Sequence, residues 1–338
     1  MSERALSFYL RRSESPTYCN LWEYLQAEGW QRARSRFSAS FGEQNFQFDE
    51  RAAECLEFKH LLAELVEIYC PTVMPVTFCI NEQNWPYVLS QIRDRFYIQE
   101  EGMLDQVENL VWILKPSMLN NGQHIKIFER VSQLEAYYLN PNRLGGEHVL
   151  QQYILHPHLL KGPSLGHKYS IRMFVVLTNY AGVYVYPRGY FNIALRSYRS
   201  DKFTDPSVHL TNEHLKEDTI NVVQIPTEQY ALFEPYYPQI KAIISEVIKG
   251  LTREYPLAFR CEKNRLVALF GFDFIVDATE RIWLLEANHA PCFPTHDSHP
   301  LRKSLYDDFW RAFIASFAQP IASATPPEDI QYQLFERV

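Results

Sequence analysis

Apolar positions recur along this chain in two periods, and the change from one to the other divides it. Spacing of three to four predicts helices. One opens at an asparagine cap in Asn20-Leu21-Trp22-Glu23-Tyr24-Leu25 and closes at Gly29; a second covers 49–69 through Ala53, Leu56, Leu61, Leu65 and Ile68. Ile240, Ile243, Ile244, Val247, Ile248 and Leu251 predict a third over 238–254, and Leu305, Phe309, Phe313 and Ile314 a last over 304–317. Elsewhere β-branched and aromatic runs predict strands over 73–80, 110–116, 124–128, 147–154, 168–177 and 183–189, then a hairpin of 269–277 and 282–288 around Ala278-Thr279-Glu280-Arg281. Pro71 and Pro75 break the second helix and place a domain boundary there, and the tail beyond Pro320, with Pro326 and Pro327, is expected to be loosely held. Three domains follow, 1–75, 76–151 and 152–338, with no internal repeat.

Composition narrows the class. At 338 residues, 46% hydrophobic and 14% aromatic, the chain can bury more than one core. A net charge of −7 argues against a general nucleic-acid binder. The absence of a long apolar run argues against a membrane span, and a soluble, cytoplasmic monomer is expected, in the producing cell or a host. Cys19, Cys55, Cys70, Cys79, Cys261 and Cys292 show no metal-finger spacing and are expected reduced and mostly buried.

Candidate chemistry sits at strand ends. Equal spacing from a turn centred between Thr279 and Glu280 sets Asp273 opposite Glu286, with Asn288 on the same face. Two carboxylates facing each other between apolar strands call for a cation, and magnesium suits oxygen ligands of this kind; solvated carboxylates are the plainer alternative. Alternation puts Lys168, Ser170 and Arg172 on one face, and the returning strand brings Arg188 near Arg172. With Lys115 at the end of its own strand, these cations suit a triphosphate. Arg32, Arg34 and Arg36 are either a solvated face or a patch for an acidic peptide.

Six segments in order resemble the tubulin-tyrosine ligase-like family of ATP-grasp ligases: Trp112-Ile113-Leu114-Lys115-Pro116, Gln151-Gln152-Tyr153-Ile154, Lys168-Tyr169-Ser170-Ile171-Arg172, His209-Leu210-Thr211-Asn212, Phe270-Gly271-Phe272-Asp273-Phe274 and Trp283 to Pro291. The resemblance implies an α+β ATP-grasp fold, with the nucleotide held between a central domain (76–151) and a C-terminal domain (152–338) and a smaller N-terminal domain ahead of them. It implies ATP and Mg2+ as cofactors, and a free amino acid and a protein or peptide acceptor as partners, tubulin among the acceptors to consider. Lys115 and Lys168 would meet phosphates, Gln151, Gln152, Tyr153 and Ile154 the adenine, and Ser170, His209, Thr211 and Asn212 the rest of the nucleotide. Arg172, Arg188 and Glu286 would be catalytic, and Asp273, Glu286 and Asn288 would bind the metal. Two letters depart from the family pattern, Ser170 where it has Asp and His124 where its phosphate loop has a second glycine. Two alternatives therefore stand beside the ligase: a nucleotide-binding interaction module without ligation, and an ATP-grasp kinase that stops at the phosphorylated product.

Overall fold

Three sheets carry the chain in a computed structural model that describes residues 6–11, 15–99, 110–119, 122–160, 166–201, 203–211, 223–295 and 299–338. In the first, β1 (Ser7–Tyr9) runs parallel to β2 (Gln31–Arg32) on one side and β3 (Phe41–Gly42) on the other. The second joins β4 (Thr77–Ile80), β5 (Trp112–Pro116), β6 (Lys126–Phe128) and β7 (His148–Gln152) in the antiparallel order β4-β7-β5-β6. The third is built from β8 (Leu159–Leu160), β9 (His167–Thr178), β10 (Val183–Ile193), β11 (Val223–Pro226), β12 (Val267–Val276), β13 (Ile282–His289) and β14 (Glu336–Arg337). Its order is β11-β10-β9-β12-β13, with β14 on β10 and β8 on β9. Helices cover the two larger sheets, both antiparallel, so the class is α+β, as the resemblance implies.

The near-unbroken apolar run of β9 follows from burial on both faces. Tyr169, Ile171, Met173, Val175 and Leu177 enter a core with Ile240, Ile244, Val247 and Leu251 of the Phe233–Glu254 helix. Phe174 and Val176 enter another with Phe293, Phe309, Phe313 and Phe317. Residues 1–75 share these cores: Leu56, Leu62 and Val66 lie in the first, Phe8, Leu21, Leu25 and Phe41 in the second. The N-terminal segment thus packs on both faces of the large sheet. The four-stranded sheet has its own core around Ile80, Ile92, Trp112, Leu134 and Leu150.

Several elements differ from the pattern reading. The first helix is Pro16–Ala27, begun by a proline at its first turn; Asn20 is fully buried within it and donates to Pro16 O and Phe293 O instead of capping. The predicted helix over 49–69 is two, Glu50–Glu57 and Lys59–Tyr69, parted at Phe58, whose ψ of 119° leaves the helical region. The helix expected from Pro238 begins at Phe233, with Pro238 inside it. The tail is anchored, not loose: β14 pairs with β10, and Phe335 is buried against Tyr186 and Phe309.

Candidate active site

The β12–β13 hairpin sets Asp273 opposite Glu286, though not through an unbroken ladder. Near the turn Val276 pairs with Ile282 and Phe274 with Leu284; Leu285 is then an extra residue, and Glu286 follows opposite Asp273. Without that bulge Asp273 would face Leu285. The turn is held by Asp277, whose Oδ1 accepts from Thr279 N and Arg281 N and whose Oδ2 accepts from Trp283 Nε1.

Asp273 also stands opposite Arg172 of β9, whose Nε and Nη2 donate to Oδ1 and Oδ2 at 2.6 Å each. Gly271 leaves room for that side chain, since a Cβ there would lie 2.9 Å from Arg172 Cδ. Glu286 has Lys59 Nζ at 3.7 Å, brought in by the break at Phe58. Asn288 Nδ2 donates to Asp273 Oδ2 and to Glu286 Oε1 at 3.2 Å each, so the three side chains surround one point. The mutual repulsion that suggested a metal is therefore already offset by Arg172 and Lys59. Burial raises the Asp273 carboxyl to about 6 against the opposing pull of Arg172. Glu286 meets the same desolvation, but Lys59 and Lys115 outweigh it and hold the carboxyl at about 2.

Cations face this hairpin from the other strands. Lys115, buried at the end of β5 instead of solvated at an edge, donates to Gln151 Oε1 at 2.9 Å. Lys168 donates to Tyr153 Oη at 2.9 Å, and that hydroxyl meets His209 Nδ1 at 2.8 Å. Burial lowers Lys115 to about 8, opposed by Glu286, and lowers Lys168 to about 7, with Lys115 adding to the effect. Ser170 Oγ lies 2.8 Å from Thr211 Oγ1.

One cavity of about 160 Å³ is lined by Lys115, Gln151, Gln152, Tyr153, Ile154, Lys168, Ser170, Arg172, His209, Thr211, Asp273, Glu286 and Asn288. Asn212 lies outside the described residues. Arg188 is not brought in: it pairs with Glu228 and, at 3.0 Å, with Asp308. Equal counting from the β9–β10 turn would set Arg188 opposite Arg172, but β10 carries two extra residues between Val185 and Gly189, so Tyr190 stands there instead. Tyr190, Asn192 and Cys292 line the cavity and were missed, as was Lys59 at its rim. Alternation from Arg172 could have found Tyr190 and Asn192 only with the bulge known; nothing local marked Lys59.

As a donor set, the two carboxylates suit a hard cation that keeps other positions for phosphate and water, and Asn288 would add its amide oxygen by turning over the amide whose Nδ2 now faces both carboxylates. No group of three or more His, Cys, Asp or Glu side chains able to hold a metal alone occurs among the described residues. Among them, too, no helix is long and apolar enough to cross a membrane.

A model of the tubulin-tyrosine ligase family matches residues 50–328. The chain is 24% identical over 224 residues to "Tubulin glycylase 3D" of Tetrahymena thermophila, covering 60% of this chain and 21% of that protein. It is 24% identical over 198 residues to "Probable tubulin polyglutamylase ttll-9" of Caenorhabditis elegans (54% and 46%) and 24% identical over 268 residues to "Protein monoglycylase TTLL8" of Homo sapiens (72% and 30%). The chain spans less than half the length of each of these relatives.

Proposed function

Because the chain belongs to the tubulin-tyrosine ligase family, we propose that it is an ATP- and magnesium-dependent ligase that joins a free amino acid to a carboxylate of a protein or peptide acceptor. The observation that carries this reading is the meeting of Lys115, Lys168 and Arg172 with Asp273, Glu286 and Asn288 in one cavity. Lys115 and Lys168 would contact phosphate oxygens, the backbone of Gln152 to Ile154 would hold adenine, and His209 and Thr211 would lie along the nucleotide. Asp273, Glu286 and Asn288 would hold Mg2+, which when bound offsets the charge of the phosphates. An oxygen of the acceptor carboxylate attacks the γ-phosphorus, the bond to ADP breaks, and an acyl phosphate forms. The amino group then attacks the acyl carbon, phosphate leaves, and the nitrogen loses a proton to give the amide. Arg172 would steady the transferring group while it orients Asp273.

Acidic acceptors, tubulin tails first among them, fit the exposed Arg32, Arg34 and Arg36 beside Phe37, itself 85% exposed. Intact-mass measurement of an acidic acceptor peptide after incubation with ATP, magnesium and mixed amino acids tests the reading. The peptide should gain the mass of an amino acid residue, ADP should appear in step, and Glu286→Gln should nearly abolish both. The absence of Arg188 from the cavity favours, as a second reading, a nucleotide-binding module without ligation. Such a module would bind ADP and release none from ATP under any acceptor.

A further inference from the structure

A second groove, of about 820 Å³, lies between the Lys59–Tyr69 and Trp85–Gln99 helices and has the outer edge of β4 among its walls. Among the described residues β4 pairs only with β7, and Gln152 N donates to Val76 O, so Val76, Phe78 and Ile80 spend their backbone groups on that neighbour. By alternation Thr77 and Cys79 turn theirs the other way. The Cys79 carbonyl accepts from Asn84 Nδ2 at 3.1 Å; the Thr77 N–H and C=O and the Cys79 N–H have no hydrogen-bond partner among the described residues. An open strand edge of this kind is a template for another strand. The flanking surface is both apolar and acidic: Ile68 and Tyr87 are exposed, and Glu64, Glu67 and Asp94 stand against the single cation Arg95.

We propose that this groove receives an extended, lysine- or arginine-bearing segment of a partner protein, which adds to the free edge of β4 as a further strand. Backbone hydrogen bonds to Thr77 and Cys79 give the pairing. Apolar side chains of the segment cover Ile68 and Tyr87 while its cations meet Glu64, Glu67 and Asp94. The carboxylates select against an acidic segment, so this surface is not the docking place of an acidic acceptor tail. The site needs no nucleotide, and its test is independent of ligase activity.

Fluorescence anisotropy with a labelled eight-residue peptide of alternating valine and lysine tests the proposal, beside the same peptide with glutamate for lysine. The lysine peptide should bind at least about tenfold tighter, and the Glu64→Lys/Glu67→Lys protein, altered only at exposed helix positions, should lose about that factor. Backbone N-methylation of the peptide should abolish binding. Amide exchange should slow at Thr77 and Cys79 and stay unchanged at Phe78 and Ile80, whose N–H groups are already paired. Equal binding of the two peptides, binding without protection of Thr77 and Cys79, or no binding at all would each overturn the proposal. So would concentration-dependent pairing of two copies of the chain through β4 that excludes the peptide.

Discussion

A lysine taken out of water releases its proton readily, and Lys168 is brought down to about 7 by burial first and by Lys115 second, although the Tyr153 ring centre 4.3 Å away favours its charged form. Lys115 stands at about 8 for the same leading reason. Phosphate oxygens arriving beside them restore the charged forms, so nucleotide binding takes up protons. At pH 8, calorimetry of ADP binding in buffers of different ionisation enthalpy should show uptake of about one proton from Lys168 and about half of one from Lys115. Affinity should weaken from pH 7 to pH 9, and Lys168→Met should remove most of the uptake; none at pH 8 in the unchanged protein would contradict this placement of the phosphates. Stability of the empty protein runs the opposite way. The folded values lie below the unfolded one, so the lysines' contribution is complete above about 10.4 and is lost as pH falls through 8 and 7. Asp273 is the mirror case, raised to about 6, with its contribution complete at low pH and lost as pH rises through that value. Arg172→Met leaves this buried carboxylate without its bidentate partner. The loss should be about 3–5 kcal/mol at pH 8 and smaller at pH 5, where Asp273 takes a proton instead. Denaturant unfolding at the two pH values measures it, and an equal loss at both would show that the ion pair is not the cause.

Irregularities in the strands decide what period and spacing can and cannot reveal. The face shared by Lys168, Ser170 and Arg172 was legible because β9 is regular, and Asp273 opposite Glu286 was legible only because a shifted turn and the Leu285 bulge offset each other. Arg188 was misplaced for the same kind of reason, since its strand takes up two extra residues that no local pattern announces. Lys59 depends on a helix break beside a long-range partner, so its role lies in the tertiary fold and not in the spacing of its own segment. The loop from β5 to β6 shows a departure that was legible. His124, where the family pattern has glycine, keeps a φ of +56°, the left-handed region in which a side chain is strained. His124→Gly should therefore stabilise the fold by about 1 kcal/mol in denaturant unfolding. It should also lower the nucleotide Kd by freeing the loop to approach phosphate; an unfolding midpoint that stays put or falls would mean the histidine side chain makes contacts worth more than the strain.

At the scale of the whole molecule, the two larger sheets meet over a space smaller than the cargo proposed for it. The cavity holds about 160 Å³, whereas small-molecule sites run to roughly 300–1,000 Å³. Its walls are unequal in stiffness. The β9–β12–β13 side is buried on both faces by continuous apolar packing, while Val111, Ile113, Tyr153 and Leu210 form only a small separate cluster where the four-stranded sheet meets the 203–210 segment. Displacing a few apolar contacts there costs less than deforming a close-packed core. Nucleotide entry should therefore move the four-stranded sheet as a body, with the Val131–Leu139 helix that covers it, away from the seven-stranded one. Spin labels carried by non-natural residues at the exposed positions Gln133 and Lys263 sit on the two bodies. Their separation should lengthen by several ångström on saturation with ADP and magnesium. An unchanged or shortened distance at confirmed saturation would place the enlargement in side-chain movements around Tyr153, and the sheets would then act as one rigid frame.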